Sequence, residues 1–252
     1  MIQQTRYTLP APLTKSLCMA VVADLHGEDH TKLLPLLQAA SPDLILIPGD
    51  LMEDRQLADP TYPTYRFLQD CAALAPTYYS LGNHETGCYH SENPFRHPTP
   101  TPLSKEIRER IANTGAVLLD DAFVSVGELC ICGVTSGING KTSQPNCALL
   151  EEFSRQHGFK ILLCHHPEYF VPYVKDKKID LTVCGHAHGG QWRVLGRGIY
   201  APGQGLFPKY TAGVLDGRCV ISRGLGNHTL VPRLFNRREL VLIDLIPETK
   251  KN

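Results

Sequence analysis

No two of the nine cysteines stand in a CxxC pair, no apolar run approaches the roughly 18 residues of a membrane-crossing helix, and neither sign of charge is in excess. The first absence removes the usual thiolate framework of a structural zinc site. Cys18, Cys130, Cys132, Cys164 and Cys184 instead lie in or beside apolar runs and read as buried free thiols in a reducing compartment. Lys plus Arg and Asp plus Glu both number 25, so no global basic field gathers nucleic acid or an anionic surface. Any recognition of phosphate must therefore be local. Residues 1–16 hold no apolar stretch of the length a secretory signal needs. We expect a cytoplasmic protein without a transmembrane segment, with a peripheral place at a membrane as the alternative. Internal repeats, low-complexity tracts and linkers are missing too, and 252 residues suit one domain spanning 1–252.

What the chain does contain is a series of short apolar runs that end in polar residues. Residues 17–23 run into Asp24-Leu25-His26, residues 44–47 into Pro48-Gly49-Asp50, and residues 76–81 into Gly82-Asn83-His84-Glu85. Further on, residues 159–164 run into His165-His166-Pro167, and residues 181–183 into Cys184-Gly185-His186-Ala187-His188-Gly189-Gly190-Gln191. Such runs read as buried strands. Helical spacing between them falls at 30–40, 61–74, 104–113 and 148–156, with a short helix at 168–174. Strands alternating with helices, with polar residues at the strand tips, predict βαβ units whose site lies at the carboxyl edge.

Residues 1–16 read as a leader. From Val117 the texture changes to short strands at 117–119, 123–126 and 129–134, which we expect to open a second sheet. Residues 218–222 and 239–245 read as closing strands. Residues 86–103, with several prolines and no periodicity, are expected to form a lid loop, and the Gly/Arg-rich tail at 190–238 to line the pocket.

Taken singly, the polar tips have ordinary explanations: Asp24 as a helix N-cap, Asp50 as a turn residue, His186 and His188 as a pair of loop histidines. Those explanations would have to hold at five strand tips in succession. Carboxylate, imidazole and amide oxygen together suit borderline divalent ions such as Mn, Fe, Zn, Co or Ni. Asp50 stands alone at its tip with two oxygens, the natural bridge between two ions.

In order and spacing, DLH at 24–26, GD at 49–50, GNHE at 82–85, HH at 165–166 and GHAH at 185–188 resemble the calcineurin-like metallophosphoesterases. HGGQ at 188–191 and SRGLG at 222–226 resemble the bacterial YaeI/YkuE-like phosphodiesterase branch, which includes enzymes acting on a lipid-linked nucleotide precursor. The resemblance implies a four-layer α/β/β/α sandwich of two mixed sheets flanked by helices. It implies Asp24, His26 and His188 around one divalent metal ion, Asn83, His165 and His186 around a second, and Asp50 between them. Of the neighbours His165 and His166, the first matches the family position. His84 would assist at the phosphoryl group or the leaving group, with Glu85 orienting it or a ligand histidine. A metal-bridging hydroxide would then hydrolyse a phosphodiester or pyrophosphate bond in a small-molecule or lipid-linked phosphoester. The same site on a phosphomonoesterase or nuclease, or a non-catalytic metal-binding scaffold of this fold, are the alternatives. Neither the neutral charge nor any stacking platform supports nucleic acid as a partner, and Arg223 is the first basic residue to examine for a phosphate contact.

Overall fold

The structure, a computed structural model, describes residues 1–87, 101–136, 144–201, 204–227 and 232–248. Most of the expected lid at 86–103 lies outside the described residues. The chain opens with strand β1 (Ile2–Ala11) and β2 (Leu17–Val21), followed by helix α1 (Leu33–Ala40), β3 (Leu44–Ile47) and helices α2 (Asp54–Ala58) and α3 (Pro63–Leu74). Next come β4 (Thr77–Tyr79), α4 (Lys105–Ala112), β5 (Val117–Leu118), β6 (Ala122–Val126), β7 (Leu129–Val134) and α5 (Cys147–Ser154). After β8 (Phe159–Cys164), the short helix expected at 168–174 takes the form of a 3-10 turn at Pro167–Tyr169 running into a π-helical turn at Phe170–Val174. The chain continues through β9 (Leu181–Cys184) and the short pairs β10 (Arg193–Val194) with β11 (Arg197–Gly198) and β12 (Tyr200–Ala201) with β13 (Gly205–Leu206). It ends in β14 (Gly213–Leu215), β15 (Cys219–Ile221) and β16 (Arg238–Pro247).

Two six-stranded sheets result, one in the order β1-β16-β2-β3-β4-β5 and the other β14-β15-β9-β8-β7-β6. Their inner strands read as continuous apolar runs because each buries both faces. Alternate residues of β3 serve different layers: Ile45 and Ile47 pack under the helices with Leu33, Leu37, Phe67 and Leu68. Leu44 and Leu46 face the other sheet, where they join Ile161, Leu163 and Val183. On the far side, Leu162 of β8 packs with Leu149, Leu150 and Phe153 of α5. Helices, sheet, sheet and helix thus stack as the expected four layers.

Local sequence sets the helix ends. Ser104 Oγ accepts from the Ile107 N–H at the start of α4, and Asn146 Oδ1 accepts from the Leu149 N–H at the start of α5. Pro35 is accommodated because it falls in the first turn of α1, where its missing N–H has no intrahelical acceptor anyway.

Two expectations are corrected. Residues 1–16 are not a plain leader: Ile2–Ala11 is a full strand, parallel to β16 at the sheet edge. Pro10 disguised it, yet an edge strand tolerates proline because one side of it needs no ladder donor. Nor does the second sheet begin at Val117. β5 pairs with β4 and completes the first sheet, and the second starts at Ala122.

Burial also fixes the thiol chemistry. Cys71 lies on the buried face of α3 with its thiol pushed up to about 12 by burial, whereas Cys147 is exposed. Because the thiolate is the nucleophile, iodoacetamide at about pH 8 labels Cys147 well ahead of Cys71 in the folded protein. Peptide mapping of the alkylated protein checks this order; equal labelling of the two would contradict the packing of α3.

Candidate metal centre

The carboxyl ends of β2, β3 and β4 in one sheet and of β8 and β9 in the other converge on one place. Asp24, His26, Asp50, Asn83, His165, His186 and His188 are all buried there, and His84 is half-buried. The backbone bends hard to present them. Asp24, His26, Asp50, His186 and His188 have φ of 51°, 54°, 53°, 66° and 45°, the left-handed region that side-chain-bearing residues seldom enter. Such strain persists only where surrounding structure over-determines it, and it concentrates at functional sites.

Donor atoms of Asp24, His26 and His188 lie within 4.8 Å of one another, as do those of Asp50, His165 and His186. His26 Nε2 and His188 Nε2 point at each other across 3.2 Å. Asp50 Oδ2 lies between the sets, 3.8 Å from His26 Nε2 and 3.0 Å from His165 Nε2, with His84 Nε2 3.9 Å away. Asp24 Oδ2, Asn83 Oδ1 and His186 Nε2 are buried without a hydrogen-bond partner among the described residues. Each such atom costs about 1–3 kcal/mol unless something replaces its water. Nitrogen and oxygen donors left bare at one spot fit divalent cations, and no thiol among the described residues joins them.

The pKa directions agree with that reading. Burial holds the His186 and His188 imidazoles well below their usual value, hence neutral and able to offer a lone pair. Burial also pulls His165 down, but Asp50 and Asp24 more than offset it and push the group up to about 10. Asp50 is the larger source of this field, which attracts a cation, while burial pushes the Asp24 carboxyl above its usual value.

Close approach explains a motif glycine. A Cβ on Gly82 would collide with Asp50 Oδ1. We expect Gly82→Ala to displace Asp50, lowering metal content and cutting turnover on the order of a hundredfold, the penalty of misplacing a reacting group by about 1 Å. Elemental analysis beside kinetics checks this; full metal content at wild-type rate would contradict it.

Glu53, which the sequence did not single out, is fully buried and joins two imidazoles. Its Oε1 lies 2.9 Å from His26 Nδ1 and its Oε2 2.8 Å from His84 Nδ1, so both rings turn Nε2 toward Asp50. An acidic residue three positions after the strand-tip Asp50 was the one available signal. Glu85 does not take the orienting part expected of it. It accepts the backbone N–H groups of Asp50 at 2.9 Å, Leu51 at 2.6 Å and Gly82 at 2.8 Å, and the Tyr79 hydroxyl at 2.7 Å. It braces the loop that carries Asp50. His166 turns to Ser136 Oγ at 2.5 Å and Glu168 Oε1 at 3.2 Å. Arg223 is committed to Glu239 Oε1 at 2.9 Å. Arg233 is the basic group beside the centre: Nη2 lies 3.3 Å from His188 Nδ1, and Nη1 is buried without a partner among the described residues.

Comparison with known proteins covers most of the chain. The family model for calcineurin-like phosphoesterase matches residues 19–190. The chain is 27% identical over 240 residues to phosphodiesterase YaeI of Escherichia coli, covering 89% of this chain and 80% of that one. It is 29% identical over 168 residues to the uncharacterized metallophosphoesterase Cj0846 of Campylobacter jejuni, covering 67% of this chain but only 41% of the relative's length. Among solved structures, TT1561 of Thermus thermophilus superposes with a TM-score of 0.47 at 16% identity, covering 68% of this chain and 82% of that one.

Proposed function

The chain belongs to the calcineurin-like phosphoesterase family, a family of metal-dependent phosphohydrolases, and from that premise we propose that it hydrolyses a phosphodiester or pyrophosphate bond at a dinuclear metal centre. The observation that carries this reading is Asp50 Oδ2 between His26 Nε2 at 3.8 Å and His165 Nε2 at 3.0 Å. Asp24, His26 and His188 would hold one divalent ion, Asn83, His165 and His186 the other, and Asp50 both. Such a pair supplies Lewis acidity at the phosphoryl group and activates water as the nucleophile.

The chain's own residues do the rest. Asp50 is held in register by the His84 N–H, which donates to its Oδ1 at 3.0 Å, and by the Glu85 brace on its backbone. Glu53 accepts from His84 Nδ1 and turns Nε2 toward the centre, from which it would donate a proton or hydrogen bond to the leaving oxygen. Arg233 offers a guanidinium to a non-bridging phosphoryl oxygen. The likeness to phosphodiesterase YaeI supports a diester over a monoester.

Hydrolysis of bis-p-nitrophenyl phosphate after chelation and reconstitution with Mn tests the reading, with p-nitrophenyl phosphate as the monoester control. We expect the diester to turn over faster and activity to vanish on chelation. A chelated protein as active as the reconstituted one would sink the proposal, and faster turnover of the monoester would reverse the substrate class.

A further inference from the structure

Just beyond the ligand turn at His188, the chain displays apolar side chains that the rest of the fold leaves uncovered. Leu195 is 99% exposed, Phe235 82%, Phe207 77% and Leu206 70%. They are neighbours. Leu195 sits in the turn between β10 and β11, one groove beside that hairpin is lined by Val194 together with Phe207, and the adjoining groove by Leu195 together with Phe235. Scattered single exposed apolar residues need no account, but a contiguous group of large ones marks an interaction surface.

Charge tells which kind. No Asp or Glu occurs between Leu181 and Leu215 or between Gly217 and Arg238, while Arg197, Lys209 and Arg237 lie exposed among the apolar residues. In a chain of zero formal charge, the two stretches that build this face thus supply only positive formal charges. Apolar groups on hairpin turns, ringed by cations, match the boundary between acyl chains and anionic headgroups: the tips enter the apolar layer while the guanidinium and ammonium groups stay at the phosphates.

We propose that this face docks onto an anionic lipid bilayer. The hairpin is tied to the ligand turn, with Arg193 Nη1 donating to Gly189 O at 2.6 Å and Asn236 Nδ2 donating to His188 O at 2.6 Å. Docking therefore brings the His188 turn close to the lipid headgroups, where a phosphodiester would be presented. The docking itself is independent of the phosphoesterase reading and is measured without turnover.

The test is co-sedimentation of the full chain with phosphatidylcholine vesicles, with and without phosphatidylglycerol. We expect binding to the phosphatidylglycerol vesicles, weak binding to phosphatidylcholine alone, and release by high salt. The triple variant Leu195→Ser, Phe207→Ser, Phe235→Ser should bind about tenfold or more weakly while keeping the wild-type melting temperature and wild-type hydrolysis of a soluble diester. Arg197→Glu with Lys209→Glu should weaken binding by about 25-fold or more, at about fivefold for each of the two cations lost. Wild-type protein that stays in the supernatant with phosphatidylglycerol vesicles overturns the proposal, as does a triple variant that still binds like wild type. If the vesicles stay bare and the triple substitution instead turns a dimer into a monomer in light scattering, the face is a self-association surface and the proposal is wrong.

Discussion

At the proposed dinuclear centre, Asp50→Asn is expected to lower kcat on bis-p-nitrophenyl phosphate by roughly a thousandfold or more and to empty both metal positions together, whereas His165→Ala is expected to deplete one. The expectation follows from position. Asp50 Oδ2 is the atom that both donor sets face, and its carboxylate is drawn well below the usual range by His165 and His84 even though burial opposes this. The amide preserves shape and removes charge, so the substitution isolates electrostatics from packing. Elemental analysis, kinetics and a melting curve on the same preparation check it. A folded variant that keeps both metals and works within tenfold of wild type would show that Asp50 bridges nothing.

On the proposed mechanism His84→Ala takes away a proton donor and leaves the proposed metal ligands in place, so kcat is expected to fall about 100- to 10,000-fold while metal content holds. Glu53→Gln is the companion measurement. The His84 imidazole is raised above its ordinary value: burial lowers it, and Asp50 and Glu53 together more than compensate. If the protonated ring serves the leaving group, activity is lost as pH rises through its pKa. Removing the Glu53 charge then moves that limb of the kcat profile to lower pH. A change confined to stability would leave the limb where it is, and a variant with unchanged kcat in His84→Ala would remove the ring from the reaction.

How much of this was legible in the chain varies from residue to residue, for physical reasons. The inner strands were readable because a strand buried on both faces leaves an unbroken apolar run, as at 159–164. Glu53 was not, since a single acidic residue in a turn has many ordinary explanations and only its approach to two imidazoles gives it one role. Glu85 was misjudged because adjacency in sequence suggested His84, whereas the turn swings its carboxylate under the 50–52 backbone. Arg223 was chosen over Arg233 because a basic side chain's partner, here Glu239 of a distant strand, cannot be seen from local sequence.

The linear order of residues by itself determined the alternation of strands and helices, the polar tip on each inner strand and the chemistry of the donor set, because these depend on periodicity and residue type. Only the tertiary structure decided which tips meet. It laid β8 and β9 across from β2, β3 and β4 and forced five of the donor residues into left-handed backbone. It also turned an apolar, cation-ringed hairpin outward from the same turn that carries His188. Coordination and docking require groups far apart in the chain to lie a few ångströms apart in space, and packing between the two sheets sets that distance.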